Sequence, residues 1–146
     1  NLGVSVLIPE NYVNDLDLRL GLYRRISDLK DNKEIENFAL EMEDRFGKLP
    51  EEFRNLLEIV KLKILCKKAN IEKLDFGPKG LTISFYQNIF PNPEELLDYI
   101  KKNPDNIKLK SDMKVIILTE VKQFNKRIIF INNLIEKLFS FMKNSY

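Results

Sequence analysis

The chain has 146 residues, 44% of them hydrophobic, which is enough to bury a core and too apolar for a disordered tail. Its 24 basic and 22 acidic residues leave a net charge of +2, which selects no class of partner. One cysteine (Cys66) and no histidine exclude an internal disulfide framework and a Cys/His zinc site.

The charge is unevenly placed. Residues 1–52 hold 12 acids and 7 bases, whereas residues 53–146 hold 10 acids and 17 bases. No apolar run reaches the roughly 18 residues of a membrane span, and nothing resembles a signal peptide. Residues 1–14, with the segment VSVLIP closed by Pro9, read as an extended lead-in. Residues 15–146 read as a single domain. The opening NLGVSVLIP, without an initiator Met, suggests a piece of a longer protein.

A helix is expected from about Asp15, because Leu18, Leu22, Ile26 and Leu29 follow helical spacing. Asp31 or Asn32 can cap the next helix. There Ile35, Phe38, Ala39, Met42 and Phe46 form an apolar stripe. Gly47 suits a left-handed position that ends this helix, and Pro50 suits the first turn of the following one. That third helix runs to about Ala69, with Phe53, Leu56, Leu57, Val60, Ile64 and Leu65 on one face, and reads as the most buried. IEKLDF, GPKG and LTISFYQ make a β-hairpin, PNPEELLDYIKKNP a short helix, and IKLKSDMKVIIL a second hairpin. A last helix starts near Thr119 and reaches about Lys143, with Val121, Phe124, Ile128, Ile131, Ile135, Leu138 and Met142 in a heptad-like seam widened by Ile129, Phe139 and Phe141. The expected class is α+β: a helix-rich N-terminal part, then hairpin–helix–hairpin–helix, with a small antiparallel sheet covered by helices.

No phosphate-binding glycine loop is present, and the commonest general base, histidine, is missing. Cys66 follows Leu65 on a mostly apolar helix and reads as a buried thiol. Lys108, Lys110 and Lys114 with Phe76, Phe85 and Tyr86 permit a nucleic-acid surface, although such lysines also guard sheet edges. The last helix permits dimerisation through its seam, although its width favours packing in its own core.

The stretch EMEDRFGKLPEEF places Glu41, Glu43 and Asp44 in the last turns of the second helix. With Ile35 at zero on a wheel of about 100° per residue, Glu41 falls near about 240° and Asp44 near about 180°. Both point away from the stripe, and Glu34 and Asn37 continue the same face. Carboxylates at the negative end of a helix dipole cost a few tenths to about 1 kcal/mol. Glu41 can pair with Arg45 at i, i+4, leaving the others to water. The alternative is an acidic docking site for arginines.

LIPENYVNDLDLRLGLYRRI, followed by LEMEDRFGKLPEEFRNLLEIVKLKILCKKANIEKLD, resembles the C-terminal domain of bacterial transcription-repair coupling factor from about Val4 to Asp75. The resemblance implies a cytoplasmic bacterial parent, an ATP-driven DNA translocase that displaces stalled RNA polymerase and recruits excision repair. ATP and magnesium would belong to its upstream motor, from which residues 1–14 would lead. No catalytic residue, cofactor or metal is expected in this domain, which the resemblance makes regulatory. It implies docking on an N-terminal UvrB-like module that covers a UvrA-binding surface. It assigns contacts to Glu41 and Asp44, with Glu34 and Asn37 on the same face. Glu43 departs from the family pattern, in which an apolar residue is usual there. A nucleic-acid-binding tail and a dimerisation module remain the other expectations.

Overall fold

The computed structural model describes residues 6–143, with side chains to residue 138. Its elements are α1 (Leu16–Ser27), α2 (Asn32–Phe46), α3 (Glu51–Lys68), β1 (Ile71–Gly77), β2 (Gly80–Phe85), α4 (Pro93–Lys102), β3 (Ile107–Leu109), β4 (Val115–Leu118) and α5 (Phe124–Lys143). The class is α+β, as the alternation of helical and period-2 patterns requires. The chain forms two compact units, and the division falls inside α3, between Ile64 and Leu65. The sequence suggests no such division, because one unbroken helical pattern carries the chain across it.

The first unit is helical. Asp15 caps α1 by accepting from the Leu18 N–H at 3.0 Å, and Asp31 caps α2 by accepting from the Glu34 N–H at 2.8 Å. Ile35, Phe38 and Met42 from α2 join Leu22, Ile26, Phe53 and Leu57 in the core. The lead-in belongs to this core too, since Ile8 and Val13 are buried in it. The Ile8 N–H donates to the Tyr23 hydroxyl at 2.7 Å, and an Arg19 N–H donates to the Val13 carbonyl at 2.8 Å. Tyr12 packs its ring edge-on to Phe53, with centroids 5.7 Å apart. α3 is not more buried than its neighbour: Phe53, Leu57 and Leu62 are its buried residues, against Ile35, Phe38 and Met42 in the shorter α2.

Gly47 closes α2 in a form the sequence does not suggest. Its φ is +94°, but its ψ of −170° takes it out of the left-handed helical well. The chain leaves extended, and the Gly47 N–H still donates to the Glu43 carbonyl at 3.0 Å.

The second unit is a four-stranded antiparallel sheet of order β1-β2-β4-β3. Leu81, Ile83 and Phe85 alternate onto one face of β2 and are buried together with Val115 and Ile117 from β4. Leu96 of α4 and Ile128, Ile131, Ile135 and Leu138 of α5 are buried as well. Residues of that sheet face, of α4 and of α5 enclose one small apolar gap. Asn70, at φ +58°, ends the turn after α3 and donates its side-chain amide to the carbonyls of Tyr86 (3.1 Å) and Ile89 (2.7 Å).

α5 begins at Phe124, five residues later than the Thr119 expected from the sequence. The preceding segment has its own bonds: the Thr119 hydroxyl accepts from the Val121 N–H at 3.4 Å, and the Arg127 Nε donates to the Val121 carbonyl at 2.9 Å. Val121 is therefore outside the seam. Ile129, expected to widen the apolar stripe, is 59% exposed. The expectations for Phe139, Phe141 and Met142 concern side chains outside those described.

Candidate functional site

α2 presents the acidic face, and the structure places each expected residue on it. Asn37 and Asp44 are exposed, and Glu34 and Glu41 are partly so. The buried stripe of Ile35, Phe38 and Met42 lies opposite, as the 3.6-residue period dictates. Among the described residues, no hydrogen bond or ion pair engages the side chains of Glu34, Asn37 or Asp44.

Glu41 differs. The Arg25 guanidinium of α1 grips it with two parallel hydrogen bonds of 2.6 and 2.7 Å. Arg45 donates to the same carboxylate at 3.1 Å, which is the i, i+4 pair legible in the sequence. Each arginine also lies over a ring, Arg25 at 5.0 Å from Phe38 and Arg45 at 4.9 Å from Phe46. The Arg25 hydrogen bonds hold the Glu41 carboxyl at about 2, well below the usual carboxylate range. This bridge offsets the cost of an acid at the helix C-terminus from within the chain.

Glu43 is exposed on the flank of the face. Burial, and secondarily the Glu43 charge, raises the pKa of the Tyr12 phenol. The Tyr12 hydroxyl lies 2.7 Å from the Gly47 carbonyl and 3.1 Å from that of Met42, tying down the end of α2.

Two residues of this face escape a reading of the sequence. Arg25 is 16 positions from Glu41, so only the folded α1–α2 pair brings them together. Leu40 is 65% exposed. Its signal was present: it falls near about 140° on the wheel, off the apolar stripe.

The other expected surfaces lose their components. Phe85 is buried, and Phe76 packs against Phe130 under the Arg127 guanidinium, so only Tyr86 of the three aromatics is exposed for stacking. Lys110 and Lys114 both flank Asp112 at 4.0 Å. The α5 seam residues Ile128, Ile131, Ile135 and Leu138 are already buried within the chain. Burial pushes the Cys66 thiol up to about 11. Among the described residues no group of His, Cys, Asp and Glu side chains is placed to hold a metal ion, and no helix is long and apolar enough to cross a membrane.

The fold defines the class, an α+β domain built from a helical unit and a four-stranded antiparallel sheet unit. A family model described as the TRCF domain matches residues 2–96. The transcription-repair-coupling factor of Rickettsia bellii (strain RML369-C) is 50% identical over 121 residues, covering 83% of this chain and 11% of that protein. The factor of Escherichia coli (strain K12) is 30% identical over 137 residues, covering 94% of this chain and 12% of that protein. A crystal structure of the C-terminal domain of transcription-repair coupling factor superposes with a TM-score of 0.78, covering 99% of this chain and 92% of that one at 20% identity. The chain belongs to the transcription-repair-coupling factor family, and it spans only 11–12% of the length of these relatives.

Proposed function

We propose that this chain is a non-catalytic regulatory domain of a transcription-repair coupling factor, and that it docks through α2. In this reading the parent is a cytoplasmic ATP-driven DNA translocase that displaces stalled RNA polymerase and recruits excision repair. The face of Glu34, Asn37, Glu41 and Asp44 meets arginines of an N-terminal UvrB-like module and covers its UvrA-binding surface. Family membership supports the parent's role. The single observation that carries the docking is Asp44 on the outward face of α2, an exposed carboxylate in the last turns of the helix, at the unfavourable end of its dipole, with no partner among the described residues. Charge-assisted bonds from a partner's arginines would offset that placement. Glu41 would contribute only the acceptor capacity that Arg25 and Arg45 leave to it.

The cleanest test is Asp44→Lys in the full-length protein. Reversal at Glu41 would also break the Arg25 bridge and confound the result. Like charges across a docked interface cost several kcal/mol, enough to shift the resting equilibrium towards the open form. UvrA affinity is expected to rise. An unchanged affinity with the fold intact makes Asp44 an ordinary surface charge and removes this face from the docking.

A further inference from the structure

We propose that Leu40 is the apolar anchor of the α2 face, and that the surface it meets is a protein recess, apolar at its floor and rimmed by arginine or lysine. The proposal rests on the docking reading and specifies the chemistry of the partner. Leu40 is 65% exposed, more than Leu16 (57%) or Leu20 (45%) on α1. On a helix, a residue's surface neighbours lie three and four positions away. For Leu40 these are Glu36, Asn37, Glu43 and Asp44, and all four are exposed. Three are carboxylates, so an apolar knob stands inside a ring of negative charge.

The other exposed leucines have no such ring. Within α1, Leu16 has Arg19 and Leu20 at those offsets, whereas Leu20 has Leu16, Asp17, Tyr23 and Arg24. The ring narrows the occupant. A second copy of the same face would set carboxylates against carboxylates, and nucleic acid or an anionic membrane would be repelled in the same way. A recess with a cationic rim satisfies both parts at once, because the rim pairs with the carboxylates while the floor desolvates the leucine. An apolar centre sealed by a polar ring is the usual arrangement of an interface hot spot. Glu41, adjacent to Leu40 in sequence, is already fixed by Arg25 and Arg45, so ordering it on docking costs little further entropy.

The test uses three full-length variants: Leu40→Gln, Leu40→Met and Asp44→Lys. Glutamine matches leucine closely in helix propensity, and the site is exposed, so thermal unfolding of the 146-residue chain should not change with Leu40→Gln. UvrA affinity of the Leu40→Gln protein is expected to rise about tenfold, and Leu40→Met, which keeps the apolar volume, to stay near wild type. If Leu40→Gln leaves the affinity unchanged while Asp44→Lys raises it, the anchor is overturned and the docking reading stands. If neither variant changes it, docking through α2 fails, and the anchor fails with it.

Discussion

The Arg25–Glu41 bridge joins two helices through exposed side chains, so its contribution to stability is bounded by solvent screening. Glu41→Gln keeps the shape of the side chain and removes the charge. We expect it to lower stability by about 0.5–1 kcal/mol at neutral pH, the upper range for an exposed pair with bidentate geometry. The sign of the pH dependence follows from the direction of the shift. Folding lowers the Glu41 carboxyl from 4.5 to about 2, so the bridge contributes fully above the unfolded value and fades as the pH falls towards about 2. Urea unfolding of wild type and Glu41→Gln at several pH values should show two curves that converge below about pH 3. A gap of constant size across that range would assign the effect to packing. The Arg45 half of this cluster is legible in the sequence because it is local. The Arg25 half is not, because its geometry depends on how α1 packs beside α2.

At the scale of elements, α2 and α3 share the core that the RFGKLP turn makes possible. Phe38 and Leu57 are both buried, and Phe38 lies 6.2 Å from Phe53. Phe38→Ala should cost about 3–5 kcal/mol and Leu57→Ala about 2–5 kcal/mol in denaturant unfolding. A loss below about 1 kcal/mol at either position would contradict its place in the core. In the sheet, Gly80 has φ +149°, and an added Cβ would clash with the Ile117 carbonyl oxygen. Gly80→Ala should therefore destabilise the chain by more than about 2 kcal/mol, because strained backbone and a backbone clash add. The helices were legible because caps and apolar periods agree: Asp15 and Asp31 both cap where the pattern starts. The start of α5 was not, because Thr119 and Val121 continue the apolar spacing into a segment whose hydrogen bonds are those of a loop.

For the whole molecule, the division inside α3 is a result that local patterns could not supply, since the helix reads as one stripe from Phe53 to Leu65. The acidic face itself was legible, because a helical period alone decides which residues turn outward. Leu40 turns outward by the same period, whereas the internal arginine comes only from packing. The same packing decides against two other surfaces. With Phe85 buried and half-buried Phe76 packed between Phe130 and Arg127, only Tyr86 of these three aromatics is left exposed for a base to stack on. Gel shifts should show no DNA complex that survives about 0.15 M salt, and a tight complex there would revive the nucleic-acid reading. With Ile128, Ile131, Ile135 and Leu138 already buried, sedimentation should give a monomer, and a stable dimer would require a face other than this seam.

Cys66, half-buried rather than buried as its apolar helix suggests, has a practical consequence for watching docking directly. Its thiol, pushed up to about 11, is almost wholly protonated at neutral pH and therefore slow towards alkylating dyes. It is also the chain's single cysteine. A cysteine introduced on the exposed side of α2, at Asn37 for example, would react as an ordinary surface thiol and carry a fluorophore almost alone. The native chain is in this sense ready for site-specific labelling at the edge of the Leu40 knob, without first removing its own sulfur.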